Sequence, residues 1–146
     1  MTTFNFIKII KNRLIRLVWF LFLILNNPTH SEIQKILIKN CYDGDTCTSL
    51  SGEKIRLACI DTPELKGKRS ESEKALLARN YLNKFVKNQK ITIKRITTDS
   101  YGRTVAELYK DKKNIQKHLV DIGLAEIYEK YAYQCEWTKN YLKEKI

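Results

Sequence analysis

Ile36-Leu37-Ile38-Lys39-Asn40-Cys41-Tyr42-Asp43-Gly44-Asp45-Thr46-Cys47-Thr48-Ser49-Leu50-Ser51-Gly52-Glu53-Lys54-Ile55-Arg56-Leu57-Ala58-Cys59-Ile60 carries three short apolar and β-branched runs separated by two glycine turns. Strands are expected over 36–40, 46–50 and 54–60, with turns at Asp43-Gly44 and Ser51-Gly52. In the third strand Ile55, Leu57 and Cys59 share one face, and Lys54, Arg56 and Ala58 share the other. Arg56 therefore projects from the polar side of a half-buried strand. Pro63 ends it. A basic loop over 65–69 leads to Ser70-Glu71-Ser72-Glu73, a capping box that opens a helix. Ala75, Ala78, Leu82, Phe85 and Val86 recur on that helix at core spacing. A strand over 90–96 turns Ile91 and Ile93 inward, and another runs over 104–109 to a turn at Asp111-Lys112. A short helix holds Ile115, Leu119 and Ile122 on one face and stops at Gly123. Residues 125–133 read as aromatic and irregular, and a last helix holds Trp137, Tyr141 and Ile146. Periodicity alone supports an α+β domain that is mainly sheet at its start, with no internal repeat.

The chain of 146 residues allows one domain. Its 43% hydrophobic content is ordinary for a globular protein and argues against disorder. The 27 Lys and Arg against 16 Asp and Glu give +11, a bias toward anionic partners such as nucleic acid or an anionic membrane. Lys8, Lys11, Arg13 and Arg16 precede the first acid, Glu32, so residues 32–146 still carry 23 basic against 16 acidic residues, or +7. Those four cations lead into nine apolar residues, 17–25, and then into the polar Asn26-Asn27-Pro28-Thr29-His30-Ser31. Basic, apolar, polar is the order of a secretory signal peptide. Nine residues are too few for a spanning helix, which needs about 20. Residues 1–31 are read as a signal peptide cut after Ser31 or as an uncleaved signal anchor, and 32–146 as the functional domain. The chain is thus expected to be exported, secreted or periplasmic, with a membrane tether through 1–31 if the leader is kept.

Three strings concentrate chemistry beside turns: Asp43-Gly44-Asp45-Thr46, Arg56-Leu57-Ala58-Cys59-Ile60-Asp61-Thr62-Pro63-Glu64, and Asp99-Ser100-Tyr101-Gly102-Arg103. Carboxylates can hold a hard cation, a further one can handle a water's proton, and guanidiniums can take up charge developing on phosphate. That grouping is what metal-assisted attack on a phosphodiester requires. Asp43-Gly44-Asp45 taken alone reads as an ordinary hairpin turn, and only its pairing with Arg56 and Asp61-Thr62-Pro63-Glu64 turns the reading toward a site.

Together the strings resemble the thermonuclease (staphylococcal nuclease-like) family, from about Ile36 to about Tyr133. The resemblance implies a five-stranded OB-type Greek-key barrel with two or three helices. It also implies a calcium-dependent endonuclease that hydrolyses DNA and RNA with little sequence preference and leaves 3′-phosphate ends. By the same resemblance, Asp45, Asp61 and the Thr62 carbonyl ligate the calcium ion, with Asp43 orienting them from behind. Glu64 acts as general base, and Arg56 and Arg103 grip the scissile phosphate. Tyr101 touches substrate, and Tyr131 stacks on a base, bonds a terminal phosphate or simply packs in the core. No obligate protein partner is implied. Ser100 stands where the family often has lysine, the loop after Glu64 is slightly shorter, and the last helix stops short of a closing tryptophan.

Two other classes share part of this pattern. A non-catalytic OB-type module could bind single strands without cutting, but without metal its clustered carboxylates would repel phosphate. A basic membrane-surface protein rests on charge and leader alone. Four cysteines, Cys41, Cys47, Cys59 and Cys135, in an exported chain point to two disulfides. Cys41 and Cys47 flank one turn on adjacent antiparallel strands, which favours Cys41–Cys47 and leaves Cys59 for Cys135. Four buried thiols are the alternative.

Overall fold

The computed structural model describes residues 34–65 and 72–144. The expected leader, the capping-box serine Ser70, most of the basic loop and Ile146 lie outside the described residues.

Three strands come first: β1 (Gln34–Cys41), β2 (Thr46–Ser49) and β3 (Lys54–Leu57). They pair antiparallel in succession, with Cys41 opposite Cys47 and Thr46 opposite Arg56. After the two-residue β4 (Ile60–Asp61) comes α1 (Ser72–Val86), then β5 (Lys90–Thr98) and β6 (Thr104–Lys110). β5 returns beside β1, β6 pairs with β5, and β6 also runs parallel to β3, with Leu57 opposite Ala106. The order β3-β2-β1-β5-β6 therefore closes on itself as an OB-type barrel. Register shifts between Ile38 and Asn40 and between Arg95 and Thr97 bend the strands, as closure of so small a barrel requires.

Ile38, Ile55, Leu57, Ile91, Ile93 and Leu108 fill the barrel, and Leu82 and Val86 of α1 cover one end of it. The tiny β7 (Lys113–Asn114) leads into α2 (Ile115–Asp121), whose N-cap Asn114 accepts the Lys117 N–H at 2.9 Å. Gln116 is fully buried, and both ends of its amide are hydrogen-bonded. Its Oε1 accepts the Leu108 N–H at 3.1 Å and its Nε2 donates to the Ala106 carbonyl at 2.9 Å. One amide thus satisfies two backbone groups of β6 and locks α2 to the barrel.

Several local expectations are corrected. The strand expected over 54–60 stops at Leu57, because the chain turns at Ala58-Cys59 and Cys59 takes a left-handed conformation at φ 66°. The Ala58 N–H still donates to Ala106 at 2.9 Å, so Ala58 is buried rather than on a polar face. The chain resumes as β4, paired with β8 (Glu126–Ile127). Residues 125–133, read as irregular, hold β8 and most of a 3₁₀ helix (Glu129–Gln134) that precedes α3 (Glu136–Glu144). Ile122 is exposed beyond the end of α2. His118 is half-buried, with its Nε2 at 2.8 Å from the Tyr81 hydroxyl.

Two disulfides are present, Cys41–Cys47 and Cys59–Cys135. They point to folding in an oxidising compartment. Among the described residues no helix is long and apolar enough to cross a membrane.

Candidate active site

The loop between β1 and β2 is built around one carboxylate. Asp43 Oδ1 accepts the N–H groups of Asp45 at 3.0 Å and Thr46 at 2.6 Å, while the Tyr42 N–H donates to the Thr46 carbonyl at 2.8 Å. This is an Asx turn, and it presents Asp45 inward. The Cys41–Cys47 bond closes the base of the loop. Gly44 is buried beneath it for a steric reason. A Cβ there would lie 2.8 Å from Ala78 Cβ on α1 and 2.8 Å from Thr62 Cγ2, inside contact distance. Gly44→Ala should therefore lower stability in urea unfolding by about 1–3 kcal/mol, with Ala78→Gly in the same chain recovering part of the loss. An unchanged midpoint would show that α1 does not bear on this loop.

Asp45 is buried and its oxygens are occupied. Oδ2 accepts from the Thr62 N–H at 3.1 Å and the Thr62 hydroxyl at 2.9 Å, and Oδ1 accepts from the Thr46 hydroxyl at 3.1 Å. Burial pushes its carboxyl up to about 7, assisted by the neighbouring Asp43 charge and opposed by Arg56 and the two threonines. Arg56, on β3, sets Nη2 at 3.2 Å from Asp45 Oδ2 and 3.1 Å from Asp61 Oδ1. Its Nη1 donates to the Leu57 carbonyl at 2.7 Å. Two carboxylates from different strands thus converge on one guanidinium nitrogen.

Arg103 is held by a partner that sequence reasoning did not single out. Asp99 accepts from Arg103 Nε at 2.7 Å and from the backbone N–H groups of Arg103 and Tyr101, each at 2.9 Å. Partial burial works against the Asp99 charge, yet these bonds hold its carboxyl below the usual range. Its signal in the sequence is an aspartate opening a tight loop before Gly102, a pattern that reads as turn chemistry until the side chain is seen on Arg103. Arg103 Nη1 then reaches the Thr46 hydroxyl at 3.3 Å, and the guanidinium lies 5.4 Å from the centre of the Tyr101 ring.

These groups border an open cleft of about 590 Å³, lined by Asp43, Asp45, Arg56, Glu64, Tyr101 and Arg103 among others. Glu64 and Tyr101, the latter 82% exposed, stand at its margin. Tyr131 comes to the same cleft from the 3₁₀ helix, its ring edge-on to Tyr128 at 5.1 Å. Asp61 meets Arg56 with its side chain 57% exposed, but neither it nor Thr62 lines the cleft.

Among the described residues no three His, Cys, Asp or Glu side chains gather closely enough to hold a metal ion. The donor set nevertheless suits a large hard cation. Asp45 and Asp61 each set an oxygen on Arg56 Nη2 beside a cleft open to water, so a cation taking those oxygens would displace the guanidinium from between them. A cation with flexible coordination can take few protein oxygens and complete its shell with water.

The sequence model of the family described as Staphylococcal nuclease homologue matches residues 54–145. A Haemophilus influenzae protein described as an uncharacterized endonuclease is 34% identical over 95 residues. That match covers 62% of this chain and 51% of the relative, so the chain spans about half the length of the curated relative it matches.

Proposed function

Because this chain belongs to the staphylococcal nuclease homologue family, we propose that it is an exported, calcium-dependent endonuclease acting on DNA and RNA with little sequence preference. The observation that carries the reading is the convergence of Asp45 and Asp61 on Arg56 at the edge of a cleft that Arg103 also lines. Asp45, Asp61 and the Thr62 carbonyl would hold calcium, with Asp43 bracing the loop. When bound, the ion supplies charge neutralisation and polarises a phosphate oxygen.

The chain's own groups do the rest. Arg56 and Arg103 present planar forks to the phosphate oxygens, contacts that strengthen as negative charge accumulates in the transition state. Glu64 accepts the proton of the attacking water. The water oxygen bonds to phosphorus as the bond from phosphorus to the 5′ oxygen breaks. That oxygen leaves with the electron pair and takes up a proton from solvent, so the phosphate remains on the 3′ end. Tyr101 and Tyr131 border the space for the nucleosides on either side of the phosphate. The leader reading and two disulfides, which persist outside the reducing cytoplasm, support export. Retention of residues 1–31 would tether the domain to a membrane.

The purified protein should cut both DNA and RNA with calcium, lose activity in chelator, and recover poorly with magnesium, which demands stricter octahedral geometry. Its products should carry 3′-phosphate. Full cutting in chelator, or 5′-phosphate ends, would overturn the reading.

A further inference from the structure

One stretch of chain separates two depressions. Asp43 lines the catalytic cleft, while its neighbours Tyr42 and Cys41 line a second, open cleft of about 390 Å³ between β1 and α1. The floor of the second cleft is a rigid clamp. Asn83 on α1 accepts the Cys41 N–H at 2.8 Å and donates to the Cys41 carbonyl at 2.8 Å, and it also donates to the Arg79 carbonyl at 3.0 Å. Its polar groups are therefore committed to structure. Those at the sides are not.

Arg79 and Lys87 stand four residues to either side of Asn83, so all three share one face of α1 and its continuation. The seven lining residues include these two cations and no acid. The only side-chain partner of the Arg79 guanidinium among the described residues is the neutral Asn80 amide, at 3.3 Å. Neither cation has a carboxylate within ion-pair distance among the described residues, whereas Arg56 and Arg103 both do. Tyr42 is 58% exposed on the same rim, its backbone fixed by the Asx turn. Two unneutralised cations and an exposed ring on a rigid floor make up the elements of a single-strand track: charge for phosphates and a flat face for bases.

Resting on the nuclease reading, we propose that this second cleft carries the substrate strand beyond the scissile phosphate, with Arg79 and Lys87 contacting backbone phosphates and Tyr42 stacking an adjoining base. The two cations are about 12 Å apart along the helix axis, so they serve separate phosphates of one strand. A mononucleotide or a free phosphate held in the catalytic cleft would not reach them. The cleft thus makes affinity depend on strand length without touching the reacting atoms.

The test compares the parent chain with Arg79→Ala/Lys87→Ala on two ligands. For a phosphorothioate single strand of about twelve nucleotides, within the span a small barrel can cover, the variant's Kd should rise about five-fold or more. Its slope of log affinity against log salt should fall by about 1.4, the expected loss for two phosphate contacts. On a dinucleotide substrate kcat/KM should be unchanged. Arg79→Lys/Lys87→Arg should restore long-strand binding, because charge at these positions is what matters. Equal losses on both ligands, or an unchanged Kd and salt slope on the long strand, would overturn the proposal. If the parent cuts neither the dinucleotide nor an unmodified long strand, the nuclease reading fails, and the phosphorothioate binding arm still decides whether the cleft carries a strand.

Discussion

Arg56→Lys, Arg103→Lys and Glu64→Gln will each lower turnover on DNA by on the order of 10²-fold or more while leaving the protein folded. Lysine keeps one positive charge and loses the planar fork, so a bidentate phosphate contact in the transition state becomes a single-point one. A donor lost at a developing oxyanion costs about 3 kcal/mol. The choice of lysine matters most at Arg56. Its Nη2 lies 3.2 Å from the buried Asp45, and an alanine there would leave a buried carboxylate without its cation. Folding and catalysis would then fail together. With lysine the Asp45 charge stays partnered, and the two effects separate. Glu64 is exposed at the margin of the cleft, so its amide should be tolerated structurally. Steady-state kinetics beside thermal melts of the three variants make the comparison. Three variants that cut DNA within a few-fold of the parent would show that the cleft is not where the chemistry occurs.

Removing the Cys59–Cys135 disulfide as the double alanine variant should destabilise the domain by about 4 kcal/mol, and removing Cys41–Cys47 by about 2 kcal/mol. The difference comes from loop length. The first bond joins residues 76 positions apart and the second joins residues 6 apart, so the first removes far more freedom from the unfolded chain. The location of the long bond adds to this. Cys59 sits in the left-handed turn between β3 and β4, and Cys135 leads from the 3₁₀ helix into α3. Both are buried in a small cluster beside Trp137. Without the bond, the segment carrying Tyr131 and α3 is held to the barrel mainly by β8 and this patch. Urea unfolding of the two double variants measures the order, and a larger loss from Cys41–Cys47 would refute the loop-length argument.

Much of the barrel is legible from local pattern. The alternation in β1 to β3, the two glycine turns and the helical spacing of Ala75, Ala78, Leu82 and Val86 each depend on neighbours in sequence. So does the register that sets Cys41 opposite Cys47 across one turn. Residues 54–60 mislead because their alternation continues past the point where the strand ends. The break at Ala58-Cys59 is imposed from elsewhere, by the Ala106 carbonyl of β6 and by Cys135. Nothing within seven residues encodes either partner. Asp99 was hidden for the converse reason: its loop looks like any turn until its carboxylate is found on Arg103.

By itself the sequence determined the family, the order of most elements, the positive charge and the three strings from which the candidate site is drawn. Those are matters of residue type and short spacing, and local sterics and periodicity govern them. Only the tertiary structure decided how the barrel closes, through the parallel pairing of β3 with β6 across nearly fifty residues. It alone brought Asp45 and Asp61 to one nitrogen of Arg56, buried the first and exposed the second, and set Arg79 and Lys87 beside Tyr42 with no acid among the described residues paired to them. Burial and ion pairing depend on which distant segments exclude water from a side chain, and that is fixed when the core packs.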